Sequence, residues 1–171
     1  MKLLPDALRR VLTRSNVLAF VLIAVAVTFT ALAGAQLRDH HDAEEALAND
    51  AAILSAANSG VTAMISVRDN SAADDVAKVL DQSTGAFKAD FEQRSESFIS
   101  VVQEAKVVTQ GEVVASGIES RDGDSATVLV SATSTVSNAA GADNETRSWR
   151  LRVTMTDDDG AYKMSNVEFV A

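Results

Sequence analysis

The sequence predicts an α+β domain behind an N-terminal transmembrane helix, with about three helices packed on an antiparallel sheet of four strands. Three observations carry that reading. An uncharged apolar run, Val17–Ala35, is long enough to cross a bilayer. Apolar residues then recur at helical spacing as far as Ala105. From Lys106 the spacing switches to two, and short polar turns separate the runs. Helices first and hairpin-connected strands afterwards define the α+β class.

The apolar run has 19 residues. At the helical rise this spans roughly 28 Å, close to the ~30 Å hydrocarbon thickness of a bilayer. The expected helix covers residues 16–36, with Val17, Phe20, Ile23, Phe29 and Ala35 marking the anchor. Lys2, Arg9, Arg10 and Arg14 precede it against the single acid Asp6, and Arg38, Asp39, Asp42, Glu44 and Glu45 follow. Basic flanks stay cytoplasmic, so Arg9, Arg10 and Arg14 set the topology: the tail 1–15 inside, everything after the helix outside. Ala33-Gly34-Ala35 also has the small-x-small form of a processing site, which makes a cleaved signal peptide the competing reading. The run exceeds the ~7–15 residues of a signal h-region, and that length favours the anchor. Both readings export the same domain.

Charge separates the two parts. Residues 1–35 carry four bases and one acid, net +3, and the remainder carries 11 bases and 23 acids, net −12, giving −9 for the 171-residue chain. An acidic domain repels nucleic acid and anionic lipid head groups, so neither is an expected partner. The chain has no cysteine. Stability must come from packing, and thiol catalysis and thiolate metal sites are excluded.

Behind the anchor, residues 37–70 read as a juxtamembrane helix. Leu47, Leu54 and Val61 recur every seven residues, with Ala43, Ala57 and Met64 beside them and Asp50 as the polar interruption, a stripe that packing against the protein's own sheet explains more readily than a coiled coil of two heptad steps. Residues 71–171 form the expected α+β domain. Ser71 with Asp74 marks a helix start, and a short helix follows over 72–81. Ser83-Thr84-Gly85 breaks it, and the third helix runs from Ala86 to Ala105. Phe87, Phe91, Phe98, Val102 and Ala105 form its apolar stripe, which is expected to cover the sheet.

Four strands follow. Val107–Ile118 and Ala126–Ser137 flank the turn Arg121-Asp122-Gly123-Asp124. The third alternates, with Trp149, Leu151, Val153 and Met155 on one face and Ser148, Arg150, Arg152, Thr154 and Thr156 on the other. Asp157-Asp158-Asp159-Gly160 makes a hairpin turn into Ala161–Val170, whose alternation slips at Ser165-Asn166 as a bulge would make it.

The residues offer little for catalysis. His40 and His41 between Asp39 and Asp42 are the only histidines, and neighbouring positions on a helix point about 100° apart, which prevents convergence on one metal ion. The Asp157–Asp159 run lacks the flanking acids of a calcium loop: Met155 and Asn166 stand where they would be. No nucleophile elbow or phosphate loop is present. No cofactor is expected, and an enzyme is disfavoured. Arg147, Arg150 and Arg152 form a candidate partner face, weighed against an ordinary solvated sheet surface. Phe87, Phe91, Phe98, Trp149 and Phe169 are expected to fill the core or line a pocket.

The order of parts resembles the Mce-associated membrane proteins of actinobacteria. The segments that carry the resemblance are STGAF at Ser83–Phe87, VVTQGEVVASGIESRDGDSATVLVSATSTVSN, and RSWRLRVTMTDDDGAYKMSNVEFV. Thr84-Gly85-x-Phe87, Gly117 at a strand end, Ala126–Leu129 and Gly160-x-Tyr162 … Val167 are its most specific points, with Tyr162 standing where the family has Trp. The resemblance implies a single-pass protein with a cone-like domain on a curved sheet, similar to the nuclear-transport-factor/cystatin-like fold. It also implies an accessory or assembly subunit, without catalytic residues, of an Mce-type lipid or sterol import complex in the cell envelope. Its partners would be the bilayer and transporter subunits or another envelope complex. The alternative is an extracytoplasmic binder of a small hydrophobic ligand, or an enzyme, using the cone's pocket. An open pocket with convergent carboxylates would favour that alternative.

Overall fold

The structure, a computed structural model, describes residues 44–170. The expected anchor over 16–36, the tail arginines Arg9, Arg10 and Arg14, and the pair His40 and His41 lie outside the described residues. Contacts in the chain separate between Leu47 and Ala48, and the α+β fold belongs to the unit Ala48–Ala171.

Helix α1 covers residues 44–64. It leads to β1 (Val67–Arg68), a single 3-10 turn (Asp69–Ser71), α2 (Ala72–Asp81) and α3 (Gly85–Glu104). Strands β2 (Val108–Asp122), β3 (Ser125–Ser137), β4 (Glu145–Asp158) and β5 (Ala161–Phe169) follow. The sheet runs β1-β2-β3-β4-β5 and every neighbouring pair is antiparallel. It has five strands, where the periodicity predicts four. The extra strand, β1, is two residues long and pairs Val67 with Thr109 and Arg68 with Val108. Two residues cannot display alternation, which is why the pattern misses it.

The turns follow their residues. Gly123 takes φ +56° between β2 and β3, and Asp159 and Gly160 take +56° and +83° between β4 and β5. Two successive positive φ values are the hairpin geometry that matches the right-handed twist of strands. Asp157 Oδ1 accepts the Gly160 N–H at 2.8 Å, so this acidic run serves the turn. The slip in β5 is a bulge: Asn166 pairs with Thr154 and Met164 with Met155, leaving Ser165 over. Two irregularities occur in β2, at Val114 and Glu119, and β2 continues past Gly117 to Asp122 rather than ending near it. Arg121 thus lies in β2, where it forms an ion pair with Asp50 of α1.

The inner face of the sheet is buried by Ala126, Val128, Val130, Ala132, Leu151, Val153, Met155 and Met164. The helix that covers it is α1, through Ile53, Ala57, Val61 and, just past its end, Ile65. This corrects the expectation that the phenylalanine stripe of α3 is the cover. In α3 only Val102 is fully buried, Phe87 and Phe91 pack half-buried at the core's margin, and Phe98 is 39% exposed. The reason is size. Small residues on α1 let its backbone come close: a Cβ at Gly60 would stand 2.8 Å from Met164 Sδ. Phenylalanines cannot approach a sheet that nearly. The spacing on α1 is also four, not seven, and Leu47 is 69% exposed. Helix α3 is instead tied near β5, where the Thr84 N–H donates to the Met164 carbonyl and the Met164 N–H to the Gln82 carbonyl, both at 2.9 Å.

Candidate functional site

An apolar groove of about 470 Å³ opens where the core stops short of the β3–β4 end of the sheet. Its walls come from four directions: Met64 at the end of α1 with Ile65 just past it, Phe98, Val101 and Val102 of α3, Val136 of β3, and Trp149 with Phe169 of β4 and β5. The helical wall is exposed, with Val101 60% and Phe98 39% open to solvent. Trp149 is held in place by its indole N–H, which donates to the buried Ser134 Oγ at 2.8 Å, and its ring meets Phe169 at 5.9 Å. Arg147 is the charged residue in the lining, and Glu145 already pairs with it at 2.7 Å. Such a surface recognises apolar matter; it offers no poised acid, base or nucleophile.

Alternation along β4 divides the candidate arginine face. Arg147 shares the inner face with Trp149 and Leu151, whereas Arg150 and Arg152 share the outer face. The outer pair also differ from each other. Arg152 makes a two-pronged contact to Glu119 of β2 at 2.9 and 3.1 Å, with Glu168 at 3.9 Å. That hydrogen bond lowers the Glu119 pKa and raises that of Arg152. Arg150 is exposed and has no carboxylate within ion-pairing distance among the described residues. Beside it lies a shallower apolar hollow of about 370 Å³, lined by Ala115, Gly117, Leu129, Leu151 and Val170.

Of the five expected core or pocket aromatics, Phe98, Trp149 and Phe169 meet at the groove. Phe87 and Phe91 continue the row away from it, with ring centroids 6.0 Å apart and 6.4 Å from Phe91 to Phe98. The sequence reading missed Val101 and Val136, although Val101 lies three residues after Phe98, a helical neighbour.

It also missed Asp75, a carboxylate only 7% exposed. Asp75 accepts hydrogen bonds from the Arg68 N–H at 3.1 Å, Ser71 Oγ at 2.9 Å and Lys78 Nζ at 2.9 Å. Burial alone would raise its pKa, but the bonds from Lys78, Ser71 and the Arg68 N–H together outweigh it and lower the value. This cluster locks β1 to α2. It borders a polar cleft of about 740 Å³ that also includes Asn58, Thr62 and Gln82. Among the described residues, no three histidine or acidic side chains converge as metal ligands, and no helix is long and apolar enough to cross a membrane.

Three helices on a five-stranded antiparallel sheet in this order form a nuclear-transport-factor-like α+β fold. The periplasmic domain of DotI shares it, with a TM-score of 0.58 and 16% identity over 71% of this chain and 94% of that one. An IcmL-like type IV secretion system protein from Legionella pneumophila aligns at 0.55 with 9% identity, over 67% and 87% of the two chains. The VirB8 protein of Agrobacterium tumefaciens aligns at 0.50 with 9% identity, over 70% and 90%. The chain belongs to the family described as Uncharacterized protein Rv1363c/MT1408-like, which matches residues 14–171. Uncharacterized protein Rv1363c of Mycobacterium tuberculosis strain H37Rv is 48% identical over 166 residues, covering 95% of this chain. The chain spans 64% of the length of that relative.

Proposed function

We propose that this protein is a non-enzymatic accessory or assembly subunit of a cell-envelope complex. It is held by the helix 16–36 with its N-terminus cytoplasmic and its α+β domain extracytoplasmic. The observation that carries the reading is the groove at Trp149: an exposed, apolar, aromatic surface whose one charge, Arg147, is already neutralised by Glu145. A surface of that kind makes contacts rather than bonds. Support also comes from the fold, which is that of the periplasmic domain of DotI and of the IcmL-like secretion protein. The finer assignment, to an Mce-type lipid or sterol importer, rests on the resemblance of the segments around STGAF and the last two strands. Affinity purification of the full chain from membranes of its native host tests it. Mce transporter subunits should co-purify; their absence, with another envelope complex in their place, would remove the finer assignment and keep the coarser one.

The groove's volume favours a second reading, a small hydrophobic ligand. Trp149 is the only tryptophan, so its fluorescence reports occupancy directly. A saturable blue shift with a hydrophobic probe, lost in Val101→Glu, supports that reading.

A further inference from the structure

We infer that the bare edge of β4 over Glu145–Trp149 docks an extended peptide segment of a partner protein. The segment adds as a sixth strand, with apolar side chains toward the groove and an acidic one toward Arg150. The inference deepens the reading of the protein as a docking subunit, and rests on it, by naming the chemistry of the partner.

The register creates the opening. On one side β4 is paired along its length, as far as Val136 with Glu145. On the other, pairing with β5 begins only at Leu151 with Phe169, and the Val170 N–H donates to the Arg150 carbonyl at 2.9 Å. The Arg150 carbonyl therefore points to the β5 side. By the two-residue alternation of an antiparallel strand, the N–H and C=O groups of Ser148 and Thr146 point there too. Among the described residues no strand pairs with them. The stretch carries no proline and no bulge, and residues 145–148 are exposed.

A row of unpaired backbone donors and acceptors selects an extended chain, and the flanking side chains say which. On the inner side, Trp149, Phe169, Phe98 and Val101 offer apolar sockets beside the edge. On the outer side stands Arg150, without a carboxylate partner among the described residues, whereas the other arginines on this strand, Arg147 and Arg152, are paired to Glu145 and Glu119. A free guanidinium at an open edge is complementary to an acidic residue. A second copy of the chain would offer the same basic edge and bring like charges together.

The test pans the full chain, in detergent micelles, against displayed random peptides. Enriched peptides should alternate apolar and acidic residues and should slow hydrogen exchange at the Thr146 and Ser148 amides. Ser148→Pro removes an edge-side N–H without touching the β3 ladder and should weaken binding by roughly tenfold or more. Arg150→Glu should leave the fold intact and turn the selection toward basic peptides, an outcome that misfolding cannot imitate. The inference fails if no class is enriched, if exchange slows elsewhere, or if both variants bind as wild type does. It also fails if Ser148→Cys chains cross-link to one another and exclude the peptide, which would make the occupant a second copy. Co-purification keeps the two readings apart. If wild type and Ser148→Pro both retain envelope partners, the edge is refuted alone; if wild type has none, the envelope role is refuted first.

Discussion

Gly111 shows how one missing side chain fixes the seat of α1. It lies on the inner face of β2, its N–H bound to Ser66 Oγ at 3.0 Å, and a Cβ there would overlap the Ile65 side chain and stand 3.1 Å from the Ile65 carbonyl. Ile65 is core and cannot swing away. Gly111→Ala should therefore cost about 1–3 kcal/mol through overpacking, read as a lower denaturant midpoint. An unchanged midpoint would mean that α1 does not press on β2 there. Asp75 makes a different prediction. Its folded pKa is lowered, so the native state binds fewer protons than the unfolded one. The stability it contributes is complete above the ordinary aspartate pKa and is lost as pH falls through the folded value. Asp75→Asn should cost about 1–3 kcal/mol at neutral pH, with a difference from wild type that shrinks in acid. A difference that stays constant from neutral pH into strong acid would remove the carboxylate's charge from the account.

Helix α1, not α3, is the element on which the core depends, and alanine substitutions separate them. Ile53 is 1% exposed, so Ile53→Ala should cost about 2–5 kcal/mol. Phe98 is 39% exposed on a groove wall, and Phe98→Ala should cost well under the ~3–5 kcal/mol of a buried phenylalanine. Equal losses would restore α3 as the cover. The contrast also shows what a sequence can say. The strands were legible because alternation on β4 has strong contrast: Leu151, Val153 and Met155 against Arg150, Arg152 and Thr154. Even the bulge at Ser165 left its mark as a break in phase. The stripe on α1 was legible only in part: Ala57 and Val61 were read on it, but Ile53 and Ile65 were not, because Leu47 and Leu54 suggest another phase in an alanine-rich helix. The groove was half legible. Its aromatics stood out, but its position depends on where α1 and β5 stop, and no local pattern encodes that. Asp75 was legible only in its i,i+3 spacing to Lys78 on α2, since Arg68 and Ser71 are brought to it by the 3-10 turn that precedes the helix.

At the scale of the whole chain, the proposed anchor Val17–Ala35 makes a prediction of its own about where the α+β domain works. Charge is asymmetric about the run: Lys2, Arg9, Arg10 and Arg14 stand before it, with acids dominating after Arg38. Moving such a basic flank across a bilayer is disfavoured, while an acidic flank crosses freely. The full chain should therefore stay in the membrane pellet after carbonate washing. Protease added outside intact cells stripped of their wall should remove the α+β domain and spare residues 1–15. Replacing Arg9, Arg10 and Arg14 together with glutamate leaves Lys2 on one side against Arg38 on the other, so the orientation bias should collapse. A protease-protected fraction of the domain should then appear, with the domain's own stability unchanged because none of the three residues belongs to it. A wild-type mature chain that begins at Gln36 and is recovered free of membranes would replace the anchor with a cleaved leader, and unchanged accessibility in the triple variant would mean that something other than these arginines sets the orientation.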